Sequence, residues 1–250
     1  RPPPPPGPEV AGPTRADNWF GDENTAYVTI MRGCNYTCSY CIVPQVRGRE
    51  KYRAMPEILK EIQTKAAAGQ RNVMLLGQTV NSYHWRDETP LDFADLLRAV
   101  NALPDIDSIR FMSPHPRHMR PHVMAAIAEC AKVSRHIHLP LQSGSNSLLT
   151  RMKRLYSREE YAEIVAQLRA SMPGLKLTTD IIVGFPGESD ADFAQTMDLL
   201  EQIRFDGLFG FKYSPRPGTV SAEWVDDVPQ LTKEERLKKV LAFAHVDATA

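Results

Sequence analysis

The 250-residue chain is 42% hydrophobic and 24% charged, and its 30 basic and 30 acidic residues cancel to no formal net charge. This length holds a full-sized core, while the neutral balance excludes a polybasic nucleic-acid tail. No apolar stretch approaches the length needed to span a bilayer, and no signal-peptide core is visible in a sequence that opens on Arg1, so no membrane partner is expected.

Residues 1–18 are Pro-rich and nearly free of large apolar side chains, so an extended linker is expected, running to residue 22, ahead of one domain over 23–250. From Ala26 onward, short β-branched runs alternate with amphipathic stretches. Strands are expected at 26–31, 72–77, 108–113, 136–141, 175–185 and 207–213, with helices at 55–69, 91–103, 121–131, 157–172 and 189–203. Pro56 and Pro121 suit first helical positions, Ser157 and Ser189 suit N-caps, and Gly69 and Gly174 sit where helices stop. Strands alternating with helices make a parallel α/β sheet, and six units fit a partial (β/α)6 TIM-like barrel. A doubly wound sheet is the alternative. Either way, function belongs at the C-terminal ends of the strands.

The strongest signal is GCNYTCSYC at 33–41, a C-x3-C-x2-C spacing just after the first expected strand. Three cysteines bunched like this, out of four in the chain, do not make a disulfide framework, and a reducing, cytoplasmic setting follows. Thiolates suit iron–sulfur clusters. Cys34, Cys38 and Cys41 would hold a four-iron cluster with one iron left open to a further ligand. The alternative is a zinc site completed by a distant His or by Cys130, although zinc cysteines usually come in two pairs. Cys130 itself reads as a buried small hydrophobe in a helix.

With Tyr40 before the last cysteine, this motif after a first strand resembles the radical S-adenosylmethionine superfamily. The resemblance implies a [4Fe–4S] cluster whose free iron is chelated by the methionyl end of S-adenosylmethionine. It places Gly77 and Gln78 near the methionyl amine, with Gln142, Ser143 and Arg154 around the cofactor and Arg154 toward its carboxylate. It also sets Asp180 at the ribose hydroxyls and Ile182 and Val183 against adenine. Read without it, Gln142 or Ser143 could equally cap the next helix and Arg154 could be a solvated helix residue. Asp180 interrupts an apolar strand, and such a carboxylate is costly without a partner or a task. GFPGES at 184–189 precedes a helix but lacks the spacing of a nucleotide triphosphate loop.

Basic residues gather after strand ends: Arg47, Arg49, Lys51 and Arg53, then Arg117 and Arg120, then Lys212 and Arg216. Of these, Arg47, Arg49, Arg53, Arg117, Lys212 and Arg216 are the expected RNA contacts, with Tyr52, Tyr83 and Trp85 available to stack on bases or to form a lid. The segments TIMRGCNYTCSYCIVPQVRGRE, LLGQTVNSY, HLPLQSGSN, MKR, TDIIVGFPGE and YSPRPGT together resemble the radical methylthiotransferases, in order from about Thr25 to Val246. LLGQTVNSY, SPHP and FKYSPRPGT look most like the MiaB-type branch; Thr79 departs from the Asn expected there. That resemblance implies methylthiolation at C2 of N6-isopentenyladenosine beside the anticodon, with the tRNA anticodon stem-loop as substrate. A flavodoxin or ferredoxin would be the electron donor, and the protein a monomer. It also implies a second [4Fe–4S] cluster in an N-terminal domain and an RNA-binding β-barrel at the C-terminus; neither is in this sequence, which opens in a linker and stops in a helix. The alternatives are a sibling enzyme acting on threonylcarbamoyladenosine tRNA or a ribosomal protein, and a non-catalytic zinc-stabilised RNA-binding module.

Overall fold

A computed structural model describes residues 23–86 and 89–243; the expected linker over 1–22 lies outside them. Six parallel strands form the frame. β1 (Thr25–Thr29), β2 (Asn72–Leu76) and β3 (Ser108–Phe111) pair in that order, with Thr25 opposite Asn72 and Asn72 opposite Ser108. β4 (His136–His138), β5 (Lys176–Val183) and β6 (Gly207–Lys212) form the second half, with His136 opposite Lys176 and Gly207 opposite Thr178. The halves join just before β4, where the Ile109 amide donates to Lys132 O at 2.7 Å and Ser134 N to Ile109 O at 2.9 Å. Every strand thus lies beside its sequence neighbours, the order of an open barrel rather than of a doubly wound sheet.

The crossovers are α1 (Met55–Ala67), α2 (Phe93–Asn101), α3 (Pro121–Glu129), α5 (Arg158–Ser171) and α6 (Asp190–Ile203), with a short α4 (Asn146–Arg151) before α5. Apolar residues at helical spacing, Ile58, Ile62 and Ala66 on α1 and Phe93, Leu96, Leu97 and Val100 on α2, bury one face of each helix against the sheet. Ser157 and Ser189 cap α5 and α6 as expected, each closing a capping box with Glu160 or Asp192. α7 (Gln230–Phe243) closes the described chain against β6. Short antiparallel pairs, Met31–Arg32 with Lys51–Tyr52 and His84–Arg86 with Pro90–Asp92, decorate the strand ends. Cys130 is buried in the core at the end of α3 rather than inside it.

β4 is shorter than expected because Pro140 has no N–H for the ladder. The chain still follows β5: Leu139 N reaches Thr178 O at 2.9 Å and Gln142 N reaches Asp180 O at 2.8 Å. The loop after β4 is then held by α6, whose Asp192 accepts from Ser145 Oγ and Ser189 Oγ, both at 2.5 Å, and from Ser189 N. Burial pushes the Asp192 carboxyl up, but these hydrogen bonds, with the Arg236 charge, bring it below the ordinary 3.8. Asp192→Ala is therefore expected to lose about 2–3 kcal/mol in urea unfolding at neutral pH. The lowered folded value means this contribution is complete above the unfolded 3.8 and is lost as the pH falls through the folded value. The gap between variant and wild type should therefore close in acid.

Candidate cluster and cofactor site

Because all six strands are parallel, the loops that follow them meet at one edge, and the cysteine loop lies among them. Gly33, at φ 86°, starts it: its amide donates to Gln78 Oε1 at 2.5 Å, and an added Cβ would fall 2.2 Å from Arg49 O. Cys34 N donates to Gly48 O at 3.1 Å, and Asn35 exchanges hydrogen bonds with Glu50, so the VRGRE segment clamps the loop from outside. Gly33→Ala combines a left-handed φ with a backbone collision. Its expected result is a chain that folds but loads little iron, read by iron content beside circular dichroism.

Each of the three thiols meets a donor. Cys34 Sγ lies 3.4 Å from Tyr36 N and 3.4 Å from Thr79 Oγ1; Cys38 Sγ lies 3.5 Å from Arg154 Nη1; the Val43 amide hydrogen-bonds Cys41. Burial pushes the Cys34 and Cys41 thiols above their usual value, and charge on the neighbouring sulfurs pushes the same way. A metal bound here would displace protons. Donors aimed at sulfur suit thiolates that carry cluster charge. Among the described residues no three His, Cys, Asp or Glu side chains gather about one point where a single ion could sit.

The residues expected around the cofactor divide. Gly77 packs on Met31, leaving no room for a Cβ, and Gln78 holds the cysteine loop through Gly33. Gln142, at φ 75°, is bonded to β5 on both sides through its backbone, since Ile182 N donates to its carbonyl at 2.9 Å. Neither Gln142 nor Ser143 caps α4; Ser145 does, and the Ser143 hydroxyl faces Thr196 on α6 at 3.3 Å. Arg154 is not in a helix but in the turn after α4, 6% exposed, and pairs with no carboxylate among the described residues. Asp180 has a partner, His138 Nε2 at 3.2 Å, whose other ring nitrogen meets Thr178 Oγ1 at 3.0 Å. Ile182 shares the face of Asp180, and both Ile182 and Tyr40 pack against the cluster of Leu148, Met152, Phe185 and Tyr213, with Tyr40 edge-on to Phe185 at 6.3 Å. Val183 is a correction. Strand alternation turns its side chain to the opposite, fully buried face, so it cannot lie beside Ile182 against one adenine ring.

The basic rim also divides. Arg47, Arg49 and Arg216 are exposed without an ion pair among the described residues, and exposed Arg117 reaches only Leu155 O. Arg53 instead bonds Glu61 at 2.6 Å and Thr29 O at 2.8 Å, and Lys212 pairs with Glu234 at 3.2 Å. Both are ion-paired to helices while staying about one-third exposed. Tyr83 is buried with its hydroxyl on Arg53 O, so it is no free stacking platform, while Tyr52 and Trp85 are half-buried against the core. Residues not expected to hold the cluster or the cofactor complete the site. Besides Thr79 and His138, Ser39 ties the cysteine loop to Arg151 O and Met152 O. His115 stacks on Tyr36 at 4.1 Å, kept neutral by burial that drops its pKa to about 2.

The sequence profile of the Radical SAM superfamily matches residues 28–200. The chain belongs to the radical SAM superfamily. Its cofactors are accordingly a [4Fe–4S] cluster and S-adenosylmethionine, for which the three donor-flanked thiols are the fitting donor set. Among relatives, the tRNA-2-methylthio-N(6)-dimethylallyladenosine synthase of Geobacter metallireducens is 50% identical over 216 residues, covering 86% of this chain and 49% of the relative. The protein of that name from Syntrophomonas wolfei is 48% identical, covering 86% and 48%. That of Sorangium cellulosum is 46% identical over 264 residues, covering 98% and 52%. The chain thus spans about half the length of the curated relatives it matches. Among solved structures, the radical S-adenosylmethionine methyltransferase TsrM from Kitasatospora setae superposes with a TM-score of 0.65 at 18% identity, over 79% of this chain and 38% of that one. Coproporphyrinogen III oxidase from Escherichia coli gives 0.63 at 18% identity, over 87% and 51%. At such identity these two show the shared fold alone.

Proposed function

We propose that this chain is the radical-generating core of a tRNA methylthiotransferase that modifies C2 of N6-isopentenyladenosine beside the anticodon. The observation that carries the reading is the loop of three free thiols, each met by a donor, at the strand-end edge of a chain about half identical to relatives of that name. Cys34, Cys38 and Cys41 would hold the cluster. When bound, the cluster supplies the electron that cleaves the sulfonium of S-adenosylmethionine into a hydrogen-abstracting species.

The chain's own residues hold and shield. Gln78 and Thr79 brace the cysteine loop from the turn after β2, and the Gly77 backbone would meet the methionyl amine. Gln142 is held beside β5 through its backbone, and Arg154 reaches Cys38 of the cluster loop. His138 orients the Asp180 carboxylate, which would accept the ribose hydroxyls, while Ile182 and Tyr40 form an apolar wall that keeps water out. Exposed Arg47, Arg49, Arg117 and Arg216 would draw in the anticodon stem-loop. A second cluster in an N-terminal domain, a flavodoxin or ferredoxin donor, a monomeric state and a cytoplasmic setting belong to the same reading.

Anaerobic reconstitution tests it. The chain should bind roughly four irons and, once reduced, convert S-adenosylmethionine to 5′-deoxyadenosine, without inserting sulfur into tRNA on its own. Absence of iron or of cofactor cleavage would sink the reading, and methylthiolated tRNA made by this chain alone would remove the need for a second cluster. With the flanking domains present, isopentenylated tRNA should outcompete threonylcarbamoylated tRNA and ribosomal-protein peptides.

A further inference from the structure

The MKRLY turn at 152–156 is built around one arginine. Lys153 and Leu155 both adopt left-handed backbone, at φ 57° and 59°, and bracket Arg154, whose amide donates to Leu149 O at 2.9 Å. Two side-chain-bearing residues in that region on either side of a third mark a turn whose shape is imposed by its surroundings. The turn is fastened to the cysteine loop by Ser39, whose amide donates to Met152 O at 3.2 Å and whose hydroxyl donates to Arg151 O at 2.9 Å.

The guanidinium is equally constrained. Its Nε donates to Tyr156 Oη at 3.0 Å, and that hydroxyl donates to Leu141 O at 2.8 Å, which anchors it to the end of β4. Its Nη1 then points at Cys38 Sγ, 3.5 Å away. A buried guanidinium with no carboxylate is costly unless a negative group meets it. The sulfur of Cys38 is the group it meets.

We propose that Arg154 tunes the electron affinity of the cluster by delivering a hydrogen bond and a full positive charge to the Cys38 sulfur. This rests on the reading of Cys38 as a cluster ligand. Hydrogen bonds to sulfur and net local charge are among the levers that set iron–sulfur potentials. Reduction adds one negative charge, so a fixed cation at the thiolate stabilises the reduced form more than the oxidised form. Arg154 therefore raises the potential and makes the cluster easier to reduce. Its action is on the cluster itself and needs no bound S-adenosylmethionine, which separates it from a role as partner of the cofactor's carboxylate.

Redox titration of the reconstituted chain without S-adenosylmethionine, followed by electron paramagnetic resonance, tests this. Arg154→Met should make reduction about tenfold less favourable, a fall of about 59 mV for one electron. Arg154→Lys keeps the charge without the fork and should fall less, and Tyr156→Phe, which frees the guanidinium from β4, should lie between Lys and wild type. An unchanged midpoint in an iron-replete Arg154→Met chain would overturn the proposal, even if that variant bound S-adenosylmethionine weakly. Should Arg154→Met fail to fold, unchanged midpoints in both Arg154→Lys and Tyr156→Phe would overturn it equally. A wild-type chain that takes up no iron defeats the functional reading instead, so the two failures are distinguishable.

Discussion

Alanine at any one of Cys34, Cys38 or Cys41 is expected to abolish cleavage of S-adenosylmethionine and to leave iron well below the wild-type content after anaerobic reconstitution. The argument is one of ligand count. Three thiolates would leave one iron of a four-iron cluster without a protein ligand, and among the described residues no larger group of Cys, His or acidic side chains gathers to compensate for a loss. Cys130→Ala is the control: it lies in the core away from the loop, so it should keep iron and cleavage and cost about 1 kcal/mol for the small cavity. Iron retained in all three loop variants would refute the assignment, and a dependence on Cys130 would revive the zinc alternative.

The frame and the cysteine trio were legible for the same reason: both are local patterns. β-Branched runs, N-cap serines and a C-x3-C-x2-C spacing announce themselves within a dozen residues. What the sequence hid lies in pairings across the fold. Arg53 meets Glu61 on α1, and Lys212 meets Glu234 on α7, so two residues that read as a rim for RNA are ion-paired to helices. Arg154 reads as an ordinary basic residue of a KR pair because its target, Cys38, is 116 residues away and only the turn at 152–156 aims it there. α4 escapes notice because its cap, Ser145, sits in a stretch that reads as a ligand loop. Val183 and Ile182 read alike in an apolar run, but the two-residue period of β5 puts them on opposite faces.

α7 hides a further inversion: it turns Lys233 and Arg236 inward and leaves Leu231 exposed, so apolar periodicity misreports its buried face. Arg236 reaches the loop after β5, where Nη1 donates to Glu188 Oε2 at 2.8 Å and to Glu188 O at 3.0 Å, and Nη2 to Asp190 at 2.7 Å. The Glu188 side chain is 1% exposed and also accepts from Gly184 N, so it fixes the turn directly after β5. Arg236→Ala strips the cation from a buried carboxylate and is expected to destabilise the chain by about 3–5 kcal/mol at neutral pH. Burial already raises the Glu188 carboxyl above its ordinary 4.5, and losing the guanidinium raises it further. A raised folded value means the variant is relieved below the unfolded 4.5, where Glu188 is protonated in both states, and loses stability as the pH climbs through the folded value. Chemical unfolding at several pH values should therefore show the deficit widening from acid to neutral. Glu188→Gln combined with Arg236→Ala should recover part of it, because the uncompensated charge is gone. A deficit that stays constant with pH, or no recovery in the double variant, would show that Arg236 acts through packing on Phe193, 5.3 Å from its guanidinium, and not through charge.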